Sequence, residues 1–110
     1  MSRSSDERFA DILAAIERCL GYRRFLDGAD PLIARMAYDA VLRNLAVIGE
    51  AVRALPDDDL ASMADVPWVS IAGLRNVVVH EYFRVQPALV VEILDDELVP
   101  LAAAIRAHRA

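Results

Sequence analysis

The segment Leu74-Arg75-Asn76-Val77-Val78-Val79-His80-Glu81-Tyr82-Phe83 carries a guanidinium, an amide, an imidazole and a phenol within eight residues. On a helix, at about 100° per residue, Asn76 and His80 stand four apart on one face. Arg75 and Tyr82, seven apart, share a neighbouring face. The four groups would then form one polar wall, with valines filling the rest of the circumference. His80 can serve as general acid or base near neutral pH. Arg75, always charged, can hold a phosphate and stabilise a pentacovalent phosphorane. Asn76 can orient the imidazole or the substrate. Tyr82 offers a hydroxyl and a ring for stacking on a base. The set suits RNA cleavage in which a ribose 2′-hydroxyl attacks the adjacent phosphodiester, a reaction that needs no protein nucleophile and no metal. One histidine is short of an acid/base pair, so a symmetric partner copy is attractive. The plainer reading of each residue alone is an ion pair or a satisfied histidine at a helix end; for the whole set at this spacing the chemical reading is the stronger.

Holding such a wall requires a scaffold, and the remaining chain reads as helix. Ser4 and Glu7 have capping-box spacing. Phe9, Ile12, Leu13, Ile16, Cys19 and Leu20 follow as one apolar stripe. This first helix is predicted to reach Phe25 or Leu26, weakened at Gly21. Arg23 and Arg24 fall at its C-terminal end, where cations favour the dipole; an RNA-phosphate contact is the alternative. Asp30 as N-cap and Pro31 at the first position start a second helix, predicted over 31–55. Its stripe is Ile33, Met36, Ala37, Ala40, Val41, Asn44, Ile48 and Val52, widened by Leu42, Leu45 and Gly49, as expected of a central bundle helix. Asn44 is read as a satisfied buried amide rather than part of a polar cluster, and Glu50 as a solvated carboxylate, although it could accept a hydrogen bond from an arginine.

Pro56 and the acidic run Asp57-Asp58-Asp59 end that helix. The aspartates are read as solvated rather than metal-binding, with Asp59 capping a short helix near 59–63. Trp68, the only tryptophan, anchors the entrance of a third helix predicted from Trp68 through Glu81, to Phe83 at most. The string Val77 to Val79 alone would suggest a strand, but Val69, Ala72, Val79 and Phe83 keep helical spacing. Pro87 opens a last helix with a stripe of Ala88, Val91, Leu94, Leu98, Leu101 and Ile105. Pro100 should kink or divide it. His108 is read as a solvated terminal residue. The fold class is therefore all-α: an antiparallel bundle of four main helices in one domain over residues 1–110.

Composition narrows the function. With 110 residues, 56% hydrophobic and four glycines, the chain can bury one core and is not disordered. The net charge of -5 excludes a general polyanion binder but permits a local basic cleft. Every cationic residue is arginine; base composition of the gene is the favoured explanation and phosphate recognition the alternative. Cys19 alone can form no intramolecular disulfide and is read as a core residue. The N-terminus lacks an apolar signal core and no run is long enough to span a bilayer, so a cytoplasmic protein is expected, with no membrane partner.

Arg75-Asn76-x-x-x-His80-x-Tyr82 resembles the motif of HepT-like proteins, small helical ribonucleases of the HEPN superfamily. The resemblance extends to Asp39-Ala40-Val41-Leu42-Arg43-Asn44-Leu45, to Ile48-Gly49-Glu50-Ala51, and to Trp68 with Gly73-Leu74-Arg75-Asn76 and His80-Glu81-Tyr82-Phe83. It implies a HEPN-like bundle acting as the toxin of a toxin–antitoxin pair. It further implies a homodimer with two motifs facing a shared cleft, RNA as substrate, and a nucleotidyltransferase antitoxin as partner. Arg75 and His80 inherit catalytic roles, Asn76 a supporting one. Tyr82 becomes the acceptor of AMP transferred by the antitoxin, which uses ATP and Mg; the nuclease step itself needs no cofactor. The alternatives are a non-catalytic substrate-binding partner of a nucleotidyltransferase, and an acidic helical dimer whose polar helix end is purely structural.

Overall fold

The computed structural model describes residues 3–81 and 87–109, without the side chains of Val77, Val79, His80 and Glu81. The described residues are helical, with no strand among them. In order they form α1 (Ser5–Tyr22), a 3₁₀ turn (Arg23–Phe25), α2 (Pro31–Arg53), α3 (Asp57–Ala61), α4 (Trp68–Ala72), α5 (Leu74–Glu81), α6 (Pro87–Ile93), a π-helical turn (Leu94–Leu98) and α7 (Val99–Arg109). α1, α2, the α4–α5 pair and the α6–α7 pair are the four main arms of the bundle.

Local chemistry starts the helices where expected. The Ser4 hydroxyl accepts from the Glu7 amide at 3.1 Å, and the Glu7 carboxylate accepts from the Ser4 amide at 3.2 Å. That reciprocal cap satisfies two amides that otherwise lack partners. Its hydrogen bonds, with Arg3 nearby, hold the Glu7 carboxyl below the usual carboxylate range. Asp30 Oδ1 accepts from the amide of Leu32 at 2.9 Å, and Pro31 follows at the first helical position.

α2 is the central element. It packs on α1 along one side and on α4 and α5 along another. Two neighbours need a broad buried face, supplied by Ala37, Tyr38, Val41, Leu42, Asn44, Leu45, Ile48, Gly49 and Val52. The predicted stripe runs too far toward the N-terminus: Ile33 and Met36 are 46% and 62% exposed. The expected end at Leu55 also shortens to Arg53, with Leu55 buried just beyond. α1 likewise yields to a 3₁₀ turn after Tyr22.

The acidic run forms α3 itself rather than preceding a helix. Pro56 is the N-cap, and Asp59 lies inside, its Oδ2 accepting from Ser5 Oγ at 2.6 Å. The Trp68 indole N–H reaches the carbonyls of Leu60 and Met63, at 3.1 and 3.0 Å, fixing the connection into α4. The predicted third helix is interrupted at Gly73, which caps α4 before α5 begins. Val69 is 90% exposed, whereas Ile71 and Leu74 are buried. The Val77–Val79 string is helical, as the flanking spacing indicated; Phe83 lies outside the described residues.

Pro100 divides the last arm through a π-helical turn just before it. The Val99 amide donates to the carbonyl of Leu94, five residues back. Pro100 has no amide proton for the Asp96 carbonyl and its ring crowds that carbonyl; a wider turn relieves both problems. Val90 rather than Ala88 or Val91 is fully buried ahead of this turn, while Leu94, Leu98, Leu101 and Ile105 take their expected core places. Arg23 clamps the same turn to the end of α1. Its Nε and Nη2 meet Asp95 Oδ1 and Oδ2 at 2.9 and 2.7 Å. This two-pronged pairing raises the Arg23 pKa and lowers that of Asp95. Arg23 thus acts as a structural clamp, and Arg24 lies over the Phe25 ring, 4.6 Å from its centroid. At the other end, His108 is exposed, as read from sequence, with its ring centroid 5.7 Å from that of Phe9.

Candidate active site

The site is built where α5 leaves Gly73 and crosses α2. Leu74 is buried and seats the first turn of α5 in the core. That leaves Arg75 half-buried and Asn76 exposed. Opposite lies Gly49, and the approach is close. A Cβ at position 49 would fall 2.8 Å from the Arg75 backbone nitrogen and 3.2 Å from the Ala72 carbonyl oxygen. Only glycine lets the two helices meet this closely without displacing backbone.

The next residue, Glu50, uses that proximity. Its Oε1 is paired with Arg75 Nε, and the two side chains are 59% and 36% exposed. The carboxylate is exposed, as read from sequence, and is at the same time ion-paired with the motif arginine. A glycine inside an otherwise strong helical pattern was the available signal, because such a residue points to close backbone approach. The sequence could not say which helix approaches.

Asn44 is buried at 8% exposure, and its amide nitrogen donates to the Ala40 carbonyl one turn back, at 2.8 Å. It is a satisfied core amide, as read from sequence. Cys19 has no exposed surface; burial pushes its thiol up to about 12, which makes it a core group and not a nucleophile.

His80 belongs to the helical backbone of α5, one turn beyond Asn76; its side chain lies outside the described residues. Tyr82 lies wholly outside them. The structure thus places Arg75, Asn76 and the His80 backbone on one short helix. It adds Glu50 and Gly49 from α2.

The all-helical bundle, with α2 at its centre and α5 packed on it, is that of a HEPN-like fold. A family model described as Ribonuclease HepT-like matches residues 12–108, so the chain belongs to the HepT-like ribonuclease family. It is 30% identical over 101 residues to the "Probable ribonuclease HepT" of Thermococcus cleftensis, covering 92% of each chain. It is 31% identical over 88 residues to the "Putative RNase MJ1380" of Methanocaldococcus jannaschii, covering 80% of this chain and 81% of the relative. No solved structure matched the chain. Among the described residues, no helix is long and apolar enough to cross a membrane.

Proposed function

We propose that the protein is the ribonuclease toxin of a toxin–antitoxin pair and cleaves RNA through Arg75 and His80. The observation that carries this reading is the half-exposed Arg75 on a helix held against α2, with Asn76 open to solvent beside it. Family membership supports the ribonuclease step. In that step a ribose 2′-hydroxyl loses its proton and attacks phosphorus, and the bond to the 5′-oxygen breaks. A 2′,3′-cyclic phosphate and a 5′-hydroxyl result. Arg75 neutralises the charge that grows on the non-bridging oxygens. His80 takes or gives one of the two protons. The step as proposed needs no metal.

One chain offers a single copy of each group, and a homodimer would bring a second set. The exposed apolar residues Leu32, Ile33, Met36 and Val47 lie on α2, the helix that carries Glu50, and support a second copy there. Tyr82 is the proposed point of control. A nucleotidyltransferase antitoxin would transfer AMP from ATP to it. The phenol oxygen, losing its proton, attacks the α-phosphorus, and pyrophosphate leaves. The bulky anionic adduct would compete with RNA for Arg75.

The test is cleavage of labelled RNA by the purified protein. Arg75→Ala and His80→Ala should each lower the rate by at least about a hundredfold with unchanged helical content, given the usual scale of acid/base and electrostatic contributions. Intact-mass measurement after incubation with the antitoxin and ATP should add AMP, and Tyr82→Phe should remove that addition. AMP transfer to a protein that never cleaves RNA would replace this reading with a non-catalytic substrate subunit.

A further inference from the structure

We infer that Glu50 is a positioning residue for Arg75, and that the Gly49-Glu50 step of α2 sets the aim of the phosphate-binding guanidinium. This inference rests on the ribonuclease reading of Arg75. Three observations point the same way. Glu50 Oε1 takes Nε of Arg75. A Cβ at Gly49 would fall 2.8 Å from the backbone nitrogen of the same arginine. Neither carboxylate nor guanidinium is buried, at 59% and 36% exposure.

The chemistry follows from the shape of guanidinium. It has one donor on Nε and four on the two terminal nitrogens, all in one plane. A carboxylate on Nε restrains rotation of that plane while leaving terminal N–H groups to meet phosphate oxygens. An arginine without this partner would sample many rotamers, and RNA binding would have to select one. A half-exposed pair adds little to folding stability, so a stabilising role does not account for the arrangement. Glycine at 49 makes the pairing possible, because the helices must touch for the short Glu50 side chain to reach Nε. Glu50 touches neither RNA nor a reacting atom in this account; it acts only through Arg75.

The experiment compares wild type, Glu50→Ala, Glu50→Gln, Arg75→Ala and the double variant Glu50→Ala/Arg75→Ala. Steady-state cleavage of a short RNA is read as separate kcat and KM. Glu50→Ala should lower kcat by about tenfold or more, within the cost of a misplaced group, while KM stays within about threefold. Glu50→Gln, whose amide oxygen can occupy the same place beside Nε, should recover part of that loss. The double variant should be no worse than Arg75→Ala alone, since Glu50 has nothing left to position. A second readout is independent of cleavage: the Arg75 Nε–H resonance in ¹⁵N-labelled protein, protected from solvent exchange in wild type and unprotected in Glu50→Ala. Full kcat in Glu50→Ala beside an inactive Arg75→Ala would overturn the inference and leave the ribonuclease reading standing. Full cleavage by Arg75→Ala would overturn the role of Arg75 itself. A wild-type Nε–H that exchanges as fast as that of Glu50→Ala would overturn the positioning, whether or not the protein cleaves RNA.

Discussion

At the scale of single residues, Cys19 and Glu50 show how surroundings assign a role that residue type leaves open. The Cys19 thiol sits against the Val41 carbonyl oxygen at 3.9 Å, with no exposed surface. Burial disfavours the thiolate and lifts the pKa to about 12. The folded protein therefore keeps a proton that the unfolded chain releases near pH 8.5. The resulting stabilisation is full below that pH and is lost as the pH climbs toward 12. At about 1.4 kcal/mol per pH unit, wild type should lose roughly 2 kcal/mol relative to Cys19→Ala between pH 9 and 10.5. Urea unfolding at a series of pH values measures this; a constant gap between the two proteins would contradict it. The thiol should also resist alkylation at pH 8 until the protein unfolds.

At the scale of elements, two glycines in helices have opposite meanings. Gly21 lies near the end of α1, and a Cβ there would meet nothing within 4 Å. Gly21→Ala should stabilise the protein by about 0.5–1 kcal/mol through helix propensity alone. Gly49 lies in the middle of α2, against the α4–α5 junction, where the same change meets backbone at 2.8 and 3.2 Å. The propensity gain of about 1 kcal/mol is then opposed by an overpacking cost of about 1–3 kcal/mol. Gly49→Ala should therefore be neutral to destabilising, by up to about 2 kcal/mol. It should also lower RNA cleavage, because α5 can only move away from Glu50. Chemical denaturation of both variants, with cleavage assays beside it, separates the two effects; equal stabilisation by both would mean that α5 does not sit where it is described.

At the scale of the whole molecule, the exposed apolar residues of α2 and the single copy of each reacting group lead to one expectation. The particle in solution should have about twice the 12.1 kDa mass of the chain. Met36, at 62% exposure, is a suitable place to interfere, because a charge there costs the free chain little. Met36→Arg should shift sedimentation equilibrium toward the monomer and reduce cleavage in parallel. A fully active monomer would show that one chain suffices. Against the acidic average of the chain, at -5, the proposed RNA binding at Arg75 would have to be a local property. Binding should weaken with added salt, as phosphate contacts require.

Much of this was legible in the linear chain because it depends on near neighbours. The Ser4–Glu7 cap, the Asp30-Pro31 start, the stripe of α1, the helical state of the valine string and the shared helix of Arg75 and His80 all follow from spacings of a few residues. Helix capping and periodicity act at that range. The break at Gly73, the outward turn of Val69 and the π-helical turn ahead of Pro100 were less legible. Each is a compromise between helix continuity and the need of a later segment to pack elsewhere. Tertiary structure alone assigned Arg23 to Asp95, Ser5 to Asp59 and Glu50 to Arg75, pairs separated by 72, 54 and 25 positions. No local rule ranks one arginine above another as partner for a given carboxylate; the choice falls to whichever helix the core places alongside. The sequence by itself determined that Arg75 and His80 share a helix. The packing of that helix on Gly49 decided what holds the arginine.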